Sequence, residues 1–151
     1  LRFGASIVRY DNEVPVFYDS AGTVYGNTNV TVSDSAVVRH NVYGGGNMAS
    51  VGTFTMNKTT GIATSYTAGT GLATVTISGN ALIGPKKEDL LNADSVTQNN
   101  NFKYLGANEG SVFGSSRGLS GGLLKHLAFA DSTVVTISGN AQVVGNVFGG
   151  G

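Results

Sequence analysis

Seven residues, Val75-Thr76-Ile77-Ser78-Gly79-Asn80-Ala81, recur unchanged as Val135-Thr136-Ile137-Ser138-Gly139-Asn140-Ala141. A looser copy stands at Val30-Thr31-Val32-Ser33-Asp34-Ser35-Ala36. No other feature constrains the fold as strongly, because self-similar segments are the mark of architectures that stack one unit on the next. A second string travels with the first. Asn41-Val42-Tyr43-Gly44-Gly45-Gly46 matches Asn146-Val147-Phe148-Gly149-Gly150-Gly151. Ser111-Val112-Phe113-Gly114 is a partial copy and Thr23-Val24-Tyr25-Gly26 a weaker one. The step from the first string to the second is twelve residues from Val30 to Val42 and from Val135 to Val147. In the middle copy, Val75 to Val112, it is thirty-seven. A strict solenoid keeps one period. These spacings instead predict a common rung interrupted by inserts near 53–69, 84–110 and 115–130, with repeat units near 30–46, 75–83 with 111–114, and 135–151.

The unit alternates with period two. Val135, Ile137, Ala141, Val143 and Val147 share one parity, as do Val30, Val32, Ala36, Val38 and Val42. Thr136, Ser138, Asn140 and Gln142 take the other. Such alternation marks strands with one buried face. The run is longer than an ordinary strand of about 5–6 residues, and Ser-Gly-Asn in its middle signals a turn, since Gly and Asn tolerate positive φ. The unit therefore reads as strand, corner, strand, corner, strand, which is one rung of a parallel β-helix. The expected fold is all-β: a β-solenoid with irregular loop inserts, spanning 1–151 as a single segment. An antiparallel β-sandwich is the alternative. Gly79, Asn80, Gly139, Asn140, Gly44 and Gly149 are the expected structural corners. Stacked corner asparagines are placed to hydrogen-bond along the axis, as amide ladders do. The chain begins at Leu1 and stops on Gly149-Gly150-Gly151 inside its own motif, which leads to the expectation of a fragment, or of a segment whose next rung comes from another molecule.

The joined strings Val-Tyr/Phe-Gly-Gly-Gly and Val-Thr-Ile-Ser-Gly-Asn-Ala resemble the repeats of very large Gly-rich surface proteins of Bacteroidetes-type bacteria. More loosely, they resemble autotransporter-type β-helix adhesins. Val30–Gly46, Val75–Ile83 and Val135–Gly151 carry the resemblance. It implies an exported, adhesive or structural protein at the cell surface or outside the cell. The inserts and uneven spacing depart from a clean array.

Composition agrees with short strands and many turns: glycine supplies 23 residues and proline 2. Charged residues make up 12%, against about 25% in average soluble chains. Hydrophobic residues stand at 40%, which argues against disorder. The formal net charge is zero and no basic run occurs, so a nucleic-acid footprint is absent. No apolar stretch approaches the ~20 residues of a membrane-spanning helix. Cysteine is absent, which excludes disulfides and thiolate metal sites.

The pattern predicts no catalytic residue, cofactor or metal. His40 and His126 are single, without the His-x-x-x-His spacing of a zinc protease helix. Gly44-Gly45-Gly46 lacks the Gly-Lys-Ser/Thr ending of a phosphate loop. Asp34 and Asp131 are isolated, unlike the calcium ligands of secreted β-rolls. Glycoside hydrolysis needs two carboxylates across one bond, and Glu88 and Asp89 stand side by side next to Lys86 and Lys87. Asp11, Glu13 and Asp19 form the other acidic group. The chain is therefore expected not to be an enzyme. A glycan-binding or glycan-degrading β-helix and a self-assembling filament subunit are the alternatives. Tyr25, Tyr43, Phe113 and Phe148 occupy like places in the motif. They are the possible surface contacts, as a sugar-stacking stripe, although packing over the glycine corner is the favoured account. Expected partners are neighbouring repeats or identical subunits, and host or surface glycans.

The inserts are less informative. Pro85–Asp94 suits one or two helical turns docking Leu90 and Leu91. Ser115–Gly122 is flexible by composition. Leu123–Ala130 suits a short helix or a strand. Ser6–Tyr10 and Val14–Tyr18 read as two strands around Asp11-Asn12-Glu13.

Overall fold

The computed structural model describes residues 7–11, 14–17, 22–46, 48–57, 60, 62–85, 110–118 and 128–150. Nine strands build three rungs. Rung 1 holds β3 (Thr28–Val32), β4 (Val37–Val38) and β5 (Val42–Tyr43). Rung 2 holds β8 (Leu72–Ile77), β9 (Leu82–Ile83) and β10 (Val112–Phe113). Rung 3 holds β11 (Ser132–Ile137), β12 (Gln142–Val143) and β13 (Val147–Phe148). Equivalent strands pair in parallel, giving three sheets with rung 2 central in each: β11-β8-β3, β12-β9-β4 and β13-β10-β5. The fold is a parallel β-helix. The sandwich alternative falls, because its antiparallel hairpins are replaced by parallel ladders throughout the repeat.

The register follows the repeat residue by residue. Val30 pairs with Val75 and Val75 with Val135; Val32 pairs with Ile77 and Ile77 with Ile137. The predicted apolar parity lines the interior, except that Ala36 in rung 1 and Ile137 and Val147 in rung 3 are exposed. Val42, Val75, Ile77, Ala81, Ile83 and Val112 form the core, and Val30, Val32, Val38, Val135, Ala141 and Val143 pack against it. Full burial of a Val or Ile side chain contributes about 1.5–3 kcal/mol, and rung 2 alone has neighbours on both sides. Its Val75, Ile77, Ala81, Ile83 and Val112 are all fully buried.

The first corner of each rung turns on a positive φ: 58° at Asp34, 68° at Gly79 and 68° at Gly139. The three are stacked, with Asn80 N–H donating to Asp34 O at 2.6 Å and Asn140 N–H to Gly79 O at 2.8 Å. Glycine adopts this conformation without steric cost, and Asp is among the few other residues that visit it.

A connecting arc closes each turn of the helix. Val24 bridges Val51 in parallel, and Val51 N–H donates to Phe129 O at 2.8 Å. Here two sequence expectations are corrected. Tyr25 does not share a place with the other motif aromatics, because Thr23–Gly26 lies on this arc ahead of rung 1 rather than on a third strand. Ser115 and Ser116, in a stretch flexible by composition, are buried. The reason is local: Ser116 Oγ accepts from Gly46 N–H at 3.0 Å and donates to Ala49 O.

Among the described residues, two hairpins accompany the stack. β1 (Ile7–Asp11) and β2 (Val14–Phe17) pair antiparallel, matching the two strands expected there. β6 (Phe54–Asn57) and β7 (Ile62–Tyr66) form an antiparallel hairpin inside the first insert. Phe54 packs against Tyr66 and, edge-on, against Phe129, with centroids 5.3 and 5.7 Å apart. The expected helical turns at 85–94, apart from Pro85, and most of the stretch at 123–130 lie outside the described residues.

Candidate functional surface

Stacking in register turns each repeated side chain into a row along the axis. The clearest row is aromatic. Tyr43, Phe113 and Phe148 lie face to face, at 5.1 Å and 19° for the lower pair and 4.8 Å and 16° for the upper. Ring centroids at this separation suit offset stacking, worth about 0.5–1.5 kcal/mol beyond the area buried. Phe113 is buried between its neighbours, so the faces a sugar would need on that ring are occupied by protein. The Tyr43 hydroxyl accepts from Asn41 Nδ2 at 3.1 Å.

A polar row runs beside it, at the residue preceding each third strand. Ser111 N–H donates to Asn41 Oδ1 at 2.8 Å, and Asn146 N–H donates to Ser111 Oγ at 3.0 Å. One side chain from rung 1 and one from rung 2 thus each hold the backbone of the rung above. Ser111 is fully buried. The partial motif Ser-Val-Phe-Gly contained this position, but its bonding role depends on Asn41, seventy residues away.

The corner asparagines form a third row. Asn140 Nδ2 donates to Asn80 Oδ1 at 3.3 Å, on the exposed outside of the turn. Rung 1 places Ser35 there. Below the corner, Thr31, Thr76 and Thr136 are in register on the first sheet. Thr31 and Thr136 are exposed and Thr76 half-buried. Gly44 and Gly114 are buried after their third strands, while Gly149 is exposed. The structure therefore brings together Tyr43, Phe113 and Phe148; Asn80 and Asn140; and Gly79 and Gly139. It sets Tyr25 apart and exposed.

Chemically, this surface offers neutral hydroxyl and amide groups at regular intervals. Among the described residues, no group of three or more His, Asp and Glu side chains is placed to hold a metal ion. Glu13, Asp19, Lys86, Lys87, Glu88, Asp89 and His126 lie outside the described residues, as does the side chain of Asp11. His40 is exposed. The Tyr66 hydroxyl is raised from 10.0, first by burial and then by the charge of Asp131.

No protein-family model, curated protein or solved structure matches the chain.

Proposed function

We propose that the chain is a non-catalytic structural or adhesive segment of an exported bacterial surface protein. The carrying observation is how the repeated residues are used. The aromatic row, the Asn41–Ser111–Asn146 row and the Asn80–Asn140 pair all bind the next rung. A motif conserved between rungs for contact with its own copies is the design of a shaft, in which each repeat gains its stability from its neighbours. The resemblance to large Gly-rich surface proteins supports the same placement. The exposed threonines of the first sheet supply a neutral hydroxyl surface suited to contact with glycans.

Antibody against the folded segment should label intact cells that make the protein. Labelling only after lysis would sink the exported part of the reading. Beads coated with the segment should retain surface or host polysaccharides without shortening them. Release of shorter chains would show catalysis and overturn the rest.

A further inference from the structure

The two ends of the stack are not alike. Val42, Val112 and Val147 hold the same place in rungs 1, 2 and 3, and they are 5%, 0% and 47% exposed. Ile137 and Phe148 are also exposed at the rung 3 end. The backbone shows what that end lacks. In rung 2 the carbonyls of Ile77, Gly79, Ala81 and Ile83 accept from Ser138, Asn140, Gln142 and Val144 of rung 3. The N–H groups of Val112 and Gly114 donate to Asn146 O and Phe148 O. By the same register, the carbonyls of Ile137, Gly139, Ala141 and Val143 and the N–H groups of Val147 and Gly149 face away from rung 2.

Glycine gives the second observation. A Cβ at Gly44 would stand 2.0 Å from Gly114 O and 3.0 Å from Val75 Cγ2. One at Gly114 would stand 2.5 Å from Gly149 O and 2.8 Å from Val135 Cγ2. At both places the rung above forbids a side chain. Gly149 follows the same third strand, yet a Cβ there would meet nothing within 4 Å. Its place in the motif makes sense once a rung lies above it.

The corner runs the opposite way. A Cβ at Gly139 would meet Gly79 O at 3.0 Å, and one at Gly79 would meet Asp34 N at 2.8 Å. Corner side chains thus press on the rung below, and only the lowest rung carries one, Asp34. Setting rung 1 of a second copy on rung 3 would drive Asp34 against Gly139.

We infer that the exposed end of rung 3 is the docking surface for a fourth rung of the same pattern in the same polypeptide. That rung carries glycine at its corner and continues the row of Phe148. This goes beyond the shaft reading and is tested separately from it. A second copy of residues 128–151 is appended after Gly151, and the thermal midpoint and amide exchange are measured. The midpoint rises, and exchange slows at the amides of Val147 and Gly149. Gly149→Ala leaves the midpoint of the 151-residue chain unchanged and removes the gain in the extended one. An extension copied from residues 22–46, which brings Asp34 onto Gly139, gains less. An unaltered midpoint on extension overturns the inference, as does equal gain from both extensions or equal loss from Gly149→Ala in both chains. Sedimentation of the unextended chain supplies the last arm. Association that grows with concentration and is lost in Gly149→Ala would assign this end to a second copy instead.

Discussion

Gly44 has no room for a side chain, and the reason lies seventy residues further along the chain. A Cβ there would sit 2.0 Å from the carbonyl oxygen of Gly114, a backbone atom that moves only if the third sheet moves with it. Gly44→Ala should therefore lose about 3 kcal/mol, the upper part of the overpacking range, read as a lowered urea midpoint. Gly79 is restricted for two reasons. Its φ is 68°, a conformation that costs other residues about 1–2 kcal/mol, and its missing Cβ faces Asp34 at 2.8 Å. Gly79→Ala should accordingly cost more than Gly139→Ala, whose Cβ would clear its nearest neighbour by 3.0 Å. The double change Gly79→Val and Gly139→Val should abolish the native β-sheet circular dichroism. A double valine variant that folds normally would contradict the corner geometry.

At the scale of elements, the hairpin β6–β7 is held against the stack by Tyr66, whose ring lies within 3.0 Å of where a Cβ would stand on Gly52 or Gly71. Burial and the neighbouring charge of Asp131 raise the Tyr66 hydroxyl above 10.0. The folded chain then keeps a proton that the unfolded chain releases, so above pH 10.0 the unfolded state binds fewer protons and stability falls with rising pH. Below that value both states are protonated and the contribution is complete. Urea midpoints should drop more steeply from about pH 9 to about pH 11 in the parent than in Tyr66→Phe, with Asp131→Asn between them. Identical slopes in parent and Tyr66→Phe would count against the assignment. The strands and corners of the rungs were legible because they recur: the period of two and the Ser-Gly-Asn turns are printed twice. The hairpin within 53–69, the burial of Ser115 and Ser116, and the separation of Tyr25 were not. Each depends on a contact between segments without a copy, such as Ser116 with Ala49, and composition carries no trace of such a partner.

At the scale of the whole molecule, the identical heptapeptides make a control that few proteins offer. Ile77 and Ile137 stand in the same seven-residue string, pair with each other in register, and each ends the first strand of its rung. They differ in what lies above them: Ile77 is 0% exposed and Ile137 is 41% exposed. Intrinsic preference cannot separate them, so any difference in their substitutions measures stacking alone. Ile77→Ala removes a side chain enclosed by Val32 below and Ile137 above, and it should cost about 2–5 kcal/mol, the range for large-to-small changes in a closed core. Ile137→Ala leaves a space that water already reaches, so the cavity part of the cost disappears and the loss should be under about half as large. In a stack where each repeat touches only its neighbours, the central rung is also the last to open. Amide exchange should therefore be slowest across β8 and β9 and faster across β11 and β12. The Ile137→Ala change should accelerate exchange in rung 3 while leaving rung 2 near its parent rate. Equal costs for the two isoleucines, or exchange that accelerates uniformly in all three rungs, would mean that the stack opens as one unit rather than rung by rung.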